Sequence, residues 1–215
     1  MGGCLGVSDP YSFECVRDYR PLFSKLGLTD REVGRFLHHF RQVDIRCDGK
    51  VEISEFLAWF DLEKTAFNIR LFKLLDANKD GELSFGEWVF ALFRFLTQND
   101  VTLKTFAFDT YDINESGSLS AFELCFMLFE TFGEGYLHNP ISRNVALELQ
   151  ALAKAKESRV FSRDDFAAYA RNHPQLLFHV FNIHSLLRQR VMGARWWKKW
   201  DDKVHVLRIS CSIRS

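Results

Sequence analysis

Twelve residues constrain this chain more than any others: Asp76-Ala77-Asn78-Lys79-Asp80-Gly81-Glu82-Leu83-Ser84-Phe85-Gly86-Glu87. Oxygen-bearing side chains stand at the first, third, fifth, ninth and twelfth places, with glycine at the sixth and an aliphatic residue at the eighth. A hard cation such as calcium needs roughly six to eight oxygens on a small sphere, and this alternation supplies them. Asp76, Asn78 and Asp80 point inward, Gly81 makes the sharp turn, the Glu82 carbonyl follows, Ser84 takes the often water-mediated place and Glu87 closes the sphere with both oxygens. Helices are expected on both sides of this stretch, the context in which the pattern acts as a calcium loop.

The pattern recurs. Asp112 to Glu123 offers Asp112, Asn114, Ser116, the Ser118 carbonyl, Ser120 and Glu123. Two of those side chains are acidic against three in the preceding loop, so weaker or later filling is expected here. Asp44 to Glu55 keeps Asp44, Asp48 and Glu55, which leaves them as possible ligands, but it places Arg46 at the third position. A guanidinium donates no oxygen and repels a cation, so this loop is expected to keep its shape without useful affinity, with Arg46 bridging Asp44 or Glu55 in the ion's stead. A fourth frame, Lys154 to Asp165, carries Lys154, Lys156 and Ser158 at the ligand places and Arg159 where glycine belongs. Two calcium sites are therefore expected, each backed by a broken partner: 44–55 behind 76–87, and 154–165 behind 112–123.

The loops begin at 44, 76, 112 and 154, giving uneven intervals of 32, 36 and 42 residues. On these motifs the stretch 29–173 resembles the EF-hand superfamily. The short first and long last intervals are similar to those of the calcineurin B-like group, with the neuronal calcium sensors second. The resemblance implies an all-α fold: two pairs of helix-loop-helix units with short loop-to-loop β-bridges, plus an extra C-terminal helix and tail. It also implies a regulator that receives an amphipathic helix of a target protein, whether phosphatase, kinase, channel or transporter.

The expected divisions are 1–28, an acylated N-terminal segment; 29–97 and 98–173, the two hand pairs; and 174–215, an amphipathic helix followed by a basic, Trp-rich tail. Gly2 after Met1 presents an N-myristoylation frame, with Gly6 where Ser or Thr is preferred, and Cys4 stands ready as a palmitoylation site. One acyl chain binds membranes only marginally and stable anchoring takes two signals, so the pair predicts a peripheral protein on the cytosolic face of a membrane. Thr29 and Glu32 form a capping box before the apolar stripe Val33, Phe36, Leu37, Phe40 and Val43. Asn139-Pro140 opens a helix through Ala153, and Pro174 opens another that Gly193 stops. That last helix could fold into the hands' own groove, and Arg195-Trp196-Trp197-Lys198-Lys199-Trp200 suits a lipid headgroup boundary, a partner or a packed tail.

Composition excludes more than it assigns. Twenty-eight basic and 28 acidic residues cancel, so no global field recruits nucleic acid, and no nucleic-acid partner is expected. Five cysteines without a C-x-x-C pair fit reduced thiols in the cytoplasm. No apolar run approaches the roughly 20 residues of a membrane span, and the start lacks a basic segment followed by a hydrophobic one, so no secretory signal is expected. No nucleophile motif or phosphate-binding glycine loop is present, so an enzyme is not expected. Twenty-two Phe suggest an aromatic groove drawn from Phe56, Trp59, Phe60, Phe90 and Phe93. The leading expectation is a calcium sensor that exposes this groove. The alternatives are a constitutive regulatory subunit with structural calcium and a passive calcium buffer.

Overall fold

The computed structural model describes residues 9–136, 138–155 and 161–201. Gly2 and Cys4 lie outside the described residues, as do Lys156, Ser158 and Arg159 and the side chain of Lys154. The chain divides into two compact units, residues 1–97 with 186–215, and residues 98–185. Of the described residues beyond Pro174, 174–185 fall in the second unit and 186–201 in the first.

The first unit opens with two short helices, α1 (Glu14–Arg17) and α2 (Arg20–Lys25). Helix α3 (Asp30–Val43) then starts at the Thr29 capping box, in which the Glu32 amide donates to Thr29 Oγ1 at 3.3 Å and the Thr29 amide to Glu32 Oε2 at 2.9 Å. Its expected stripe is buried, with Val33, Phe36, Leu37, Phe40 and Val43 all inside. Strand β1 (Lys50–Glu52) leads into α4 (Ile53–Phe60), then α5 (Ala66–Leu75), β2 (Glu82–Ser84) and α6 (Phe85–Leu96). The strands pair antiparallel with Val51 opposite Leu83, the eighth residues of their loops. Both are buried, and each contributes about 1.5–3 kcal/mol by leaving water.

The second unit repeats the plan with α7 (Asp100–Tyr111), β3 (Ser118–Leu119), α8 (Ala121–Phe132), α9 (Pro140–Ala155), β4 (Phe161–Ser162) and α10 (Arg163–Asn172). Leu119 faces Phe161 across the second bridge, again at position eight. Asn139 caps α9, its side-chain oxygen accepting from the Ile141 amide at 2.9 Å. After a 3-10 turn at Pro174–Leu177 comes α11 (Phe178–Arg190), within which the division between units falls. The architecture is all-α with two short β-bridges.

The last described segment is a helix of its own. Met192 and Gly193 turn the chain with φ of 64° and 88°, and residues 194–201 form a further helix, α12. The helix that follows Pro174 thus ends at Arg190, and Gly193 stands just past it as the expected stop. Helix α12 packs on the first unit, where Trp196 and Trp197 meet Phe36 and all three of Trp196, Trp197 and Trp200 meet Phe93, with ring centroids 5.0–6.2 Å apart. Trp196 Nε1 donates to Glu32 Oε1 at 2.8 Å and Trp197 Nε1 to the Val191 carbonyl at 2.7 Å, so buried indoles keep their hydrogen bonds. These rings belong to a packed tail, not to a headgroup boundary. Of the residues expected to form a calcium-exposed groove, Phe56 and Phe60 are buried around Trp88, Phe93 lies under the tail, and only Phe90 is substantially exposed.

Candidate metal centres

Three loops share one backbone. The fourth residue takes a left-handed conformation (Cys47, Lys79 and Glu115 at φ 57°, 60° and 57°), and so does the glycine at the sixth (Gly49, Gly81 and Gly117 at 82°, 88° and 79°). Glycine meets this at no cost; at the fourth place a side chain tolerates it because the loop holds it there. The holding group is the first aspartate. Asp76, buried at the end of α5, accepts from the Lys79 amide at 2.9 Å and the Gly81 amide at 2.8 Å. Asp112 accepts from Ser116 and Gly117 at 2.9 and 2.8 Å, and Asp44 from Asp48 and Gly49 at 3.1 and 2.9 Å. The left-handed fourth position had no signal in composition or spacing.

In the second loop Asn78 Oδ1 accepts from the Asp80 amide and Asp80 Oδ1 from the Glu82 amide, both at 2.9 Å. The Glu82 amide, with the Asn78 side-chain amide, holds the exposed Asp80 carboxyl below its ordinary range. The Glu82 side chain turns outward to Lys50, leaving its carbonyl as the group the motif uses. Glu87 caps α6, where Oε2 accepts from Ser84 Oγ at 2.7 Å and from the Ser84 amide at 3.1 Å.

The third loop is drawn tighter. Glu123 is buried, and Oε1 reaches back to the Ile113 amide at 2.8 Å while Oε2 takes the Ser120 amide and hydroxyl, both at 2.8 Å. Burial pushes this carboxyl upward, but the donors from Ser120, Asn114 and Ile113 outweigh it and leave Glu123 below its ordinary value. Asn114 Oδ1 accepts from the Ser116 amide at 3.0 Å, and Ser116 Oγ donates to the Ser118 carbonyl at 2.8 Å.

Asp76, Asn78, Asp80, Glu82 and Glu87 thus share one loop, and Asp112, Asn114, Ser116, Ser118 and Glu123 the other. Among the described residues no three His, Cys, Asp or Glu side chains form a ready cage, because the loop carboxylates are engaged with amides and hydroxyls. The donors are nonetheless all oxygens, which fits a hard cation and not a soft one.

The first loop is different in kind. The Arg46 guanidinium lies 2.6 Å from Glu52, 3.0 Å from Asp48 and 3.6 Å from Glu55, while the Arg46 amide donates to Glu55 at 3.0 Å. It bridges Glu55 as expected; the Asp44 oxygens are instead taken up by the Asp48 and Gly49 amides. A positive charge fixed among three carboxylates neutralises the donors that a cation would need. In the fourth frame Ser162 and Asp165 form a capping box, the Ser162 amide donating to Asp165 at 2.9 Å, so Asp165 serves the start of α10.

A family model described as EF hand matches residues 69–92, which contain the second loop. The human type 2 calcineurin B subunit is 26% identical over 153 residues, covering 69% of this chain and 89% of its own length. The calcineurin B subunit of Schizosaccharomyces pombe is 24% identical over 66% of this chain and 82% of its own, and that of Naegleria gruberi 33% identical over 46% and 56%. A chain from a PP2A PR70 holoenzyme structure has a TM-score of 0.47 at 14% identity, covering 78% of this chain and 71% of its own. Helix-loop-helix units joined loop to loop in two pairs, the EF-hand match at 69–92 and similarity to the human and Schizosaccharomyces pombe subunits over about two thirds of the chain make it similar to the calcineurin B-like EF-hand proteins.

Proposed function

We propose that this protein is a calcium-responsive regulatory subunit that takes calcium at loops 76–87 and 112–123 and holds an amphipathic helix of a larger partner. The observation that supports this most is the pairing of each oxygen-complete loop with a donor-poor one across a buried bridge, Val51 with Leu83 and Leu119 with Phe161. Glu87 and Glu123, in the first turns of α6 and α8, would be the carboxylates that close on a cation, so its uptake would be felt at those helices. Calcium supplies charge and coordination; the chain supplies the preformed turn, the first-position anchor and the closing glutamate.

The names of the relatives, which are subunits, favour a standing partner over a free buffer. The first unit's aromatic face is already covered by α12, so a target helix there competes with the chain's own Trp196, Trp197 and Trp200. The second unit carries Phe122 and Phe178, 73% and 62% exposed, which makes it the side offered to a partner. Acylation at Gly2, with Cys4 as the second anchor, would hold the protein at the cytosolic face of a membrane.

Calorimetry on the full chain tests the metal reading. Two calcium ions bind, loop 76–87 filling first because it has three acidic ligands against two; Glu87→Gln removes the tighter and Glu123→Gln the weaker. Uptake of less than one ion per chain at micromolar calcium ends the reading. Intact-mass measurement after coexpression with an N-myristoyltransferase tests Gly2, and thioester-specific acyl exchange tests Cys4.

A further inference from the structure

Gly86, at the eleventh place of the second loop, sits inside α6 with an ordinary helical backbone, where glycine costs about 1 kcal/mol relative to alanine. No turn or positive φ requires it. What requires it is Tyr19. A Cβ at Gly86 would lie 2.6 Å from Tyr19 Cδ1 and nearer still to Cε1 and Cζ, so the ring occupies the space that any side chain would fill. The Tyr19 hydroxyl then lies 3.4 Å from Ser84 Oγ, at the loop's ninth place.

The direction of that contact follows from the neighbouring bonds. Ser84 Oγ gives its single proton to Glu87 Oε2 at 2.7 Å, so it meets Tyr19 as an acceptor and the phenol donates. At 3.4 Å the bond is weak, and the packed ring does most of the holding. The ring is itself fixed by stacking on Phe23 at 5.8 Å, and Phe23 is buried edge-on against Phe85, the loop's tenth residue, at 5.7 Å. The N-terminal arm, α1 and α2 with the residues joining them, therefore rests on the ninth, tenth and eleventh residues of the loop and braces the carboxylate at the twelfth.

We infer that Tyr19 is a positioning residue for the calcium loop 76–87, seated on Gly86 so that it steadies Ser84 and through it Glu87, and that calcium uptake there and docking of the N-terminal arm favour one another. This rests on the calcium reading above. Coupling of this kind is reciprocal: whatever the arm gives to the ion, the ion gives to the arm.

The experiment uses the full chain in a Glu123→Gln background, so that the second loop alone reports, with Tyr19→Phe, Tyr19→Ala, Gly86→Ala and Tyr19→Ala/Gly86→Ala. Calcium affinity by calorimetry falls about three- to ten-fold in Tyr19→Ala, within the range of one lost hydrogen bond and its packing, and less in Tyr19→Phe. Gly86→Ala expels the ring and weakens binding on its own, yet it adds nothing in the double variant, where the ring is already gone. Calcium slows amide exchange across residues 14–25 in the parent and not in Tyr19→Ala. Equal affinities in parent and Tyr19→Ala, or additive effects of the two substitutions, overturn the inference and leave the calcium reading standing. A parent that takes no calcium at this loop overturns both.

Discussion

In α6, Phe93 lies six residues beyond Glu87 and is 6% exposed beneath three indoles; in α8, Phe129 lies six residues beyond Glu123 and is 43% exposed. One step earlier the contrast repeats. Gly86 is covered by the Tyr19 ring, whereas its counterpart Phe122 stands in solvent. The two hand pairs thus share loop geometry, bridge and capping glutamate, and differ in what covers the exiting helix. The first is closed by segments from both ends of the chain, the N-terminal arm and α12. The second leaves Phe122 and Phe129 of α8 outward. A motif that binds a cation can therefore serve as a closed body or as a docking face according to chain outside the motif, because apolar helix surface must be covered by something.

The comparison breaks most visibly at the cover. Trp197→Ala removes a fully buried indole and is expected to cost the first unit about 3–5 kcal/mol, seen in denaturant unfolding as an early transition of that unit alone. Phe93→Ala should fall in the same range, about 3–5 kcal/mol, and Phe129→Ala well below it, since Phe129 is already half in water. Equal costs for the two phenylalanines would show that the cover is not what distinguishes the units.

Acid sharpens the contrast by a smaller amount. Burial, helped by His38 and Arg35, holds the His39 imidazole below 6.5, and its Nε2 accepts from the Met192 amide at 3.5 Å, at the turn that leads into α12. As pH falls through about 6.5 the unfolded chain takes this proton before the folded one, so the first unit loses stability from there down until His39 protonates in place. The loss stays below the about 1.4 kcal/mol per pH unit that one fully coupled proton allows. Thermal melts between about pH 7 and 5 should show it, and His39→Gln should remove it.

The smallest effect on stability is expected at Arg46. Its pairs with Asp48 and Glu52 are about half exposed and screened by water, and the buried Glu55 keeps the Arg46 and Glu52 amides as donors, so Arg46→Ala should leave the thermal melt nearly unmoved. Its effect on binding is larger. Arg46→Asn restores an oxygen at the third place beside Asp44, Asp48 and Glu55, and one more calcium per chain is expected by calorimetry. An unchanged count would show that more than the arginine disables this loop.

Loops of this kind are legible because their chemistry is local. Asp76, Gly81 and Glu87 act through spacing along a dozen residues, and the Thr29–Glu32 and Asn139–Pro140 helix starts are read within four. The pairing of Val51 with Leu83 could be anticipated because loop edges must be covered. The Trp-rich segment was not legible in this way. Its indoles suit a bilayer edge, a partner or a core equally well, and the choice of Phe36 and Phe93 as neighbours depends on residues far away along the chain. Tyr19 gave no signal for the same reason: its meaning lies in the missing side chain of Gly86.

The sequence by itself determined the four-unit plan, the two oxygen-complete loops and the one disarmed by Arg46, because each depends on residues close in the chain whose charge and backbone freedom fix their own geometry. Tertiary structure alone decided which aromatic face is open. It seated α12 on Phe93, set Tyr19 on Gly86 and left Phe122 and Phe129 outward, because burial of apolar surface is non-directional and is settled only by which distant segment the fold brings against it.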